Sequence, residues 1–154
     1  IWWLKMVEKE KIIVVDGTGH ILGRLASKVA KLLLEGNRVV IVNSEKILLS
    51  GSRKSKINEY LSNLEIKSRV NPEYGPYHPR RPENIVSRTV RGMLPMRKSK
   101  GALAYDRLKV FLGVPKEFEN VEKVVFPEAM AKKPISFYIS VGELSQHLGS
   151  RVKV

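Results

Sequence analysis

The stretch from Lys11 to Val42 constrains the fold more than any other part of the chain. A short apolar run, KIIVV, leads through Asp16 into the glycine-rich loop GTGH. Leu22, Leu25, Ala26, Val29 and Leu33 then recur at helical spacing, with Arg24, Lys28, Lys31 and Glu35 on the other side. Gly36-Asn37 is a stop signal, and RVVIV at 38–42 is a second β-branched run. Strand, helix and strand in about thirty residues make a βαβ unit, because parallel neighbours can be joined only by a crossover. The fold class is therefore α/β.

The remaining pattern extends that unit. After Asn43 the apolar segment EKILLS reaches Gly51, and a helix capped by Ser52 is expected to bury Ile57, Tyr60, Leu61 and Leu64. From Lys67 to Pro82 the periodicity gives way to Asn, Pro, Gly and Tyr, the composition of an exposed loop. Pro82 can open a helix that Pro95 closes. Residues 102–112 fit another helix ended by Gly113 and Pro115, and EKVVF at 122–126 reads as a third strand. The tail FYISVGELSQHLG is expected to give a short strand and a last helix. No repeat and no long linker divides the chain, so residues 7–154 are expected to form a single domain.

The opening IWWLKM is too short for a signal-peptide core and has no basic region before it. Met6 is the expected natural start, and residues 1–6 the expected non-native or disordered extension. No run of about 18 apolar residues predicts a transmembrane helix. The chain has no cysteine, which excludes a disulfide framework, a zinc–cysteine site and a thiol nucleophile together. A reducing, cytoplasmic setting fits.

Charge carries the functional signal. Twenty-eight Lys and Arg against fifteen Asp and Glu give a net charge of +13, which favours polyanions, above all nucleic acid. The excess concentrates in GPYHPRRPENIVSRTVRGMLPMRKSKG, residues 75–101, where Arg80, Arg81, Arg88, Arg91, Arg97, Lys98 and Lys100 are offset by Glu83 alone. Arg88 and Arg91 are spaced to share a helical face and are expected to be exposed there. Arginine's planar fork suits bidentate phosphate contacts, and Tyr74, Tyr77 and Tyr105 offer stacking surfaces. His78 could join them or simply pack within its loop. Further basic groups stand at Arg53, Lys54 and Lys56 in GSRKSK, and at Arg24 and Lys28 on the first helix.

Catalytic patterns are scarce. Gly17, Gly19 and Gly23 form a turn that could cradle phosphate, with Glu45 as the acidic partner of a nucleotide-binding enzyme. The spacing is one residue longer than the dinucleotide fingerprint, and the chain is too short and too basic for a second mononucleotide half, so a tight strand-to-helix turn is the favoured reading. His20, His78 and His147 show no metal spacing, and no nucleophile elbow occurs. No cofactor, metal or small-molecule substrate is expected. A DNA-architectural protein remains a rival on charge alone.

The blocks DGTGHILGRLAS, VVIVNSEKILLSG, GPYH with its following arginines, and RTVRGMLPMRKSKGALAYDRLKVFLGVP run in unbroken order from Val14 to Pro115. Together they resemble the L-thirteen family of universal large-subunit ribosomal proteins in its archaeal and eukaryotic form. The lack of a long basic tail beyond Val154 is closer to the archaeal type. The resemblance implies a three-layer α/β/α domain around a four-stranded, mainly parallel sheet. It also implies a non-catalytic role in the large subunit, in contact with rRNA and neighbouring ribosomal proteins, although the same surface would serve an RNA- or DNA-binding regulator outside the ribosome. The implied RNA-facing positions are Gly75 to His78 (Gly75, Tyr77 and His78 among them), Arg80, Arg88, Arg91, Gly92 and Arg97 to Lys100. Where the family pattern runs R-A-P-S-R-I, this chain has Arg81-Pro82-Glu83-Asn84-Ile85, so Arg81 is the candidate replacement for a basic residue missing at Asn84.

Overall fold

The computed structural model describes residues 11–152. The expectations for residues 1–6 lie outside that range. The first unit is as the sequence predicts: β1 (Ile12–Asp16), α1 (Leu22–Leu34) and β2 (Arg38–Val42), with the two strands parallel from Ile12↔Arg38 to Asp16↔Val42. Helix α1 turns Leu22, Leu25, Ala26, Val29, Ala30 and Leu33 inward. It stops at Gly36, whose φ of 101° is a conformation that disfavours any residue with a Cβ.

The chain continues through β3 (Leu48–Ser50), α2 (Arg53–Glu65), α3 (Pro82–Gly92), α4 (Ser99–Asp106), β4 (Leu108–Val110), β5 (Lys123–Val124), β6 (Tyr138–Ser140) and α5 (Val141–His147). The main sheet has the order β4-β2-β1-β5 and is parallel throughout, while β3 and β6 form a small antiparallel pair. One expected element is corrected. The helix predicted over 102–112 ends at Asp106, and Leu108 to Val110 instead add a strand along β2, opposite Val39 to Ile41. The free edge of β2 decides this. Backbone groups that one more turn of helix would satisfy locally are satisfied there by the sheet.

The sheet lies between two unequal layers. Val15, Val39 and Ile41 face the helical layer, where Leu25, Val29 and Leu33 of α1 meet Ile85, Val86 and Val90 of α3 in one core. Val14, Val40 and Val42 face the other way, under Phe111, Val114 and Phe118, in a segment that ends in a 3-10 turn at Lys116–Phe118. Helix α2 is shallower than expected. Ile57, Tyr60 and Leu64 only lean on the core, and Leu61 is exposed. What matters for function is α3, wedged by its apolar side against α1 and β4 so that its outer side is held rigidly.

Candidate nucleic-acid interface

Helix α3 is built as a mount. Pro82 occupies its first turn, where the missing N–H costs nothing. Ile85, Val86 and Val90 fix it to the core, and Leu94 does the same for the segment that follows. With those positions inside, Arg91 projects into solvent. Arg88 is only half-buried, because its guanidinium lies over the ring of Tyr77 with 4.4 Å from its carbon to the ring centre. The expectation that both arginines stand free is therefore corrected for Arg88.

The loop before α3 is held by its own contacts. Gly75 is tightly packed: a Cβ there would sit 3.1 Å from the Pro72 carbonyl oxygen and 3.2 Å from the Ser68 nitrogen, so the backbone around it would have to give by a few tenths of an ångström. His78 donates from Nε2 to the Ile66 carbonyl at 2.7 Å, tying the loop to the end of α2. That ring is a tether, and its neighbours Tyr74 and Tyr77 are the exposed aromatic surfaces. After α3, Arg97, Lys98, Ser99 and Lys100 are all exposed, and Gly92 opens onto empty space.

Apart from Arg88, which lies over Tyr77, the predicted cations divide into two groups. Among the described residues Arg24, Lys54, Arg80, Arg91, Arg97, Lys98 and Lys100 make no ion pair. Lys28, Arg53, Lys56 and Arg81 instead pair with Glu128, Glu143, Glu59 and Glu83. Arg81, the candidate replacement at the missing basic position, is thus partly neutralised within the chain, while Asn84 faces a notch shared with Tyr77, Ser87, Arg88, Arg91 and Tyr105. Helices α2 and α4 have no acid in the first turn and carry Arg53, Lys54, Lys56 and Lys100 there. Cations at a helix N-terminus oppose its dipole, at about 0.3–1 kcal/mol each near the surface, and an external anion would reverse that sign.

The glycine-rich turn does not hold an anion. Its successive amides are spent inside the chain: Thr18 on Asp16 Oδ1, Gly19 on the Lys46 carbonyl, His20 on Gly17 and Ile21 on Ala129. A Cβ on Gly17 would lie 2.7 Å from Ile47, so this glycine serves close packing. Glu45 accepts from the Gly113 N–H at 3.0 Å and faces no ribose site. Asp16 accepts from Thr18 and Asn43. Burial raises its pKa, but those hydrogen bonds outweigh burial and hold it below the usual carboxylate value. His20 is fully buried, and the tight strand-to-helix turn is the reading that survives.

These features define a basic α/β domain in which Arg80, Arg91, Arg97, Lys98 and Lys100, all without an ion pair, lie on or flank one loop–helix–loop unit. Among the described residues no cluster of His, Asp and Glu could hold a metal ion, and no helix is long and apolar enough to cross a membrane. The chain belongs to the family Ribosomal protein L13, which matches residues 10–117. Large ribosomal subunit protein uL13 of Methanosarcina barkeri is 47% identical over 140 residues, covering 90% of this chain and 98% of that protein. The protein of the same description from Aeropyrum pernix is 48% identical over 138 residues, 89% of each chain. That from Spodoptera frugiperda is 44% identical over 142 residues, covering 90% of this chain and 70% of its own.

Sequence reasoning missed that Asn84 and Ser87 line the same notch as Arg88 and Arg91, and that Asp106 lines the depression next to it. Helical spacing from Arg88 and Arg91 places Asn84 and Ser87 on the same face, and that signal was available.

Proposed function

We propose that this chain is a structural component of the cytoplasmic large ribosomal subunit. It binds and stabilises large-subunit rRNA during assembly through the surface from Gly75 to Lys100, beside neighbouring ribosomal proteins. Its role is positional and not catalytic, and it takes no cofactor, metal or small-molecule substrate. One observation carries the reading: Arg80, Arg91, Arg97, Lys98 and Lys100 stand without acidic partners on a unit anchored by Ile85, Val86, Val90 and Leu94. Such charges repel one another in the free chain and are neutralised by phosphate when RNA is bound. The family membership and the names of the relatives point the same way. Sedimentation of cell extract tests it. The protein should travel with the large subunit, and its presence in the free pool alone would overturn the reading.

A further inference from the structure

A notch runs between α3 and the end of α4, and its two ends differ in charge. One end, about 330 Å³, lies against Tyr77, Arg88 and Arg91. It continues past Asn84 and Tyr105 into a depression of about 380 Å³ bounded by Glu83 and Asp106. Each volume is at the lower limit for small-molecule sites, which suits a single nucleotide.

Its polar groups are left over from folding. Among the described residues the side chains of Asn84, Arg91, Tyr105 and Asp106 make no hydrogen bond or ion pair. Glu83 gives one carboxylate oxygen to Arg81, and its Oε2 has no partner. A surface built only to follow an RNA backbone would have no use for carboxylates, which repel phosphate. A notch with arginines at one end and carboxylates at the other fits a ligand that is anionic at one end and a hydrogen-bond donor at the other.

We propose that the notch receives one unstacked nucleotide of single-stranded RNA, its phosphate at Arg88 and Arg91 and an amino-bearing base toward Asp106 and Glu83. The assignment rests on the reading of the chain as an RNA-binding protein. Cytosine, adenine and guanine carry an exocyclic amine that can donate to a carboxylate, whereas uracil has a carbonyl oxygen where cytosine has its amine. Tyr105, which lines both ends of the notch, supplies the stacking surface that unpaired bases use.

The test is fluorescence anisotropy with labelled oligocytidine and oligouridine of equal length, using the full chain. Oligocytidine should bind about tenfold more tightly. Asp106→Asn combined with Glu83→Gln should close that gap, and Asp106→Asn alone, at an exposed position, should narrow it if the double variant melts early. Arg91→Gln should weaken both probes alike and lower the salt slope by about one. Equal affinities in the parent, or a cytidine preference that survives both substitutions, would overturn the assignment. So would failure to bind either oligonucleotide by a chain that still binds a large-subunit rRNA transcript. If the transcript is not bound either, the RNA-binding reading falls with it.

Discussion

Arg88 stacks on Tyr77, the guanidinium carbon 4.4 Å from the ring centre, and so joins the loop before α3 to the helix itself. The contact holds a cation and an aromatic plane in fixed relation before any ligand arrives. Preorganisation of this kind reduces the ordering cost of binding. Tyr77→Ala should cost about 0.5–1 kcal/mol in stability, the worth of an accessible cation–π pair, and should weaken binding to a large-subunit rRNA transcript. Tyr77→Phe keeps the ring and should restore both. Thermal melts and filter binding on the two variants check this.

The division between paired and unpaired cations predicts unequal salt behaviour. Replacing Arg97, Lys98 and Lys100 together by Gln should lower the salt slope of RNA binding by about three. Stability should stay within about 0.5 kcal/mol, as for ordinary surface changes. Lys28→Gln and Lys56→Gln should each move the slope less, because Glu128 and Glu59 already neutralise those charges. Titrating binding against salt for the two sets gives the comparison directly.

The β1-α1-β2 unit was legible because each element is long enough to show its period. Strand β4 was not, since the three residues LKV are too few to show alternation and their partner lies in β2. The basic segment was legible by charge alone. Its pairings were not: Lys28 meets Glu128 a hundred residues away, and Arg53 meets Glu143 in α5. Nor could spacing reveal that Tyr105 and Asp106, on α4, flank the same notch as Asn84 and Arg88, on α3. Side-chain neighbours across elements depend on packing, which leaves little trace in local pattern.

His20 predicts an acid-sensitive fold. The Phe126 N–H can only donate, so Nε2 of His20 accepts at 3.0 Å, and the ring proton sits on Nδ1, facing the Thr18 carbonyl at 3.2 Å. Burial lowers the pKa of this histidine below 6.5, against the raising influence of nearby carbonyls and Asp16. The folded state therefore binds fewer protons here than the unfolded state. The stability this gives is fully present above about pH 6.5 and is lost as pH falls through the lowered value, at no more than about 1.4 kcal/mol per pH unit. Asp16, also lowered, adds a separate loss below the ordinary aspartate value of 3.8. Urea denaturation at stepped pH should show the first decline beginning just below neutrality. A flat profile between pH 7 and 5 would contradict the lowered pKa of His20.

Two glycines flanking the same basic loop should respond in opposite ways to alanine. A Cβ on Gly101 would lie 2.1 Å from the Pro95 carbonyl oxygen and 2.4 Å from its carbon. Both are backbone atoms and cannot swing aside as the tip of a flexible side chain can. Gly101→Ala must therefore push α4 away from the Pro95 turn, at about 1–3 kcal/mol or more. It should also weaken RNA binding although no charge is removed, because Arg97, Lys98 and Lys100 ride on the displaced segment. Gly92 ends α3 with nothing near its would-be Cβ and no left-handed backbone. Gly92→Ala should leave stability unchanged or raise it by up to about 1 kcal/mol, as for glycine in a helix. If RNA approaches the backbone closely at Gly92, that variant will nevertheless bind the transcript less well. Melts and filter binding on both variants separate the two roles. A Gly101→Ala protein as stable as the parent would show that the Pro95 contact is not what positions the basic loop.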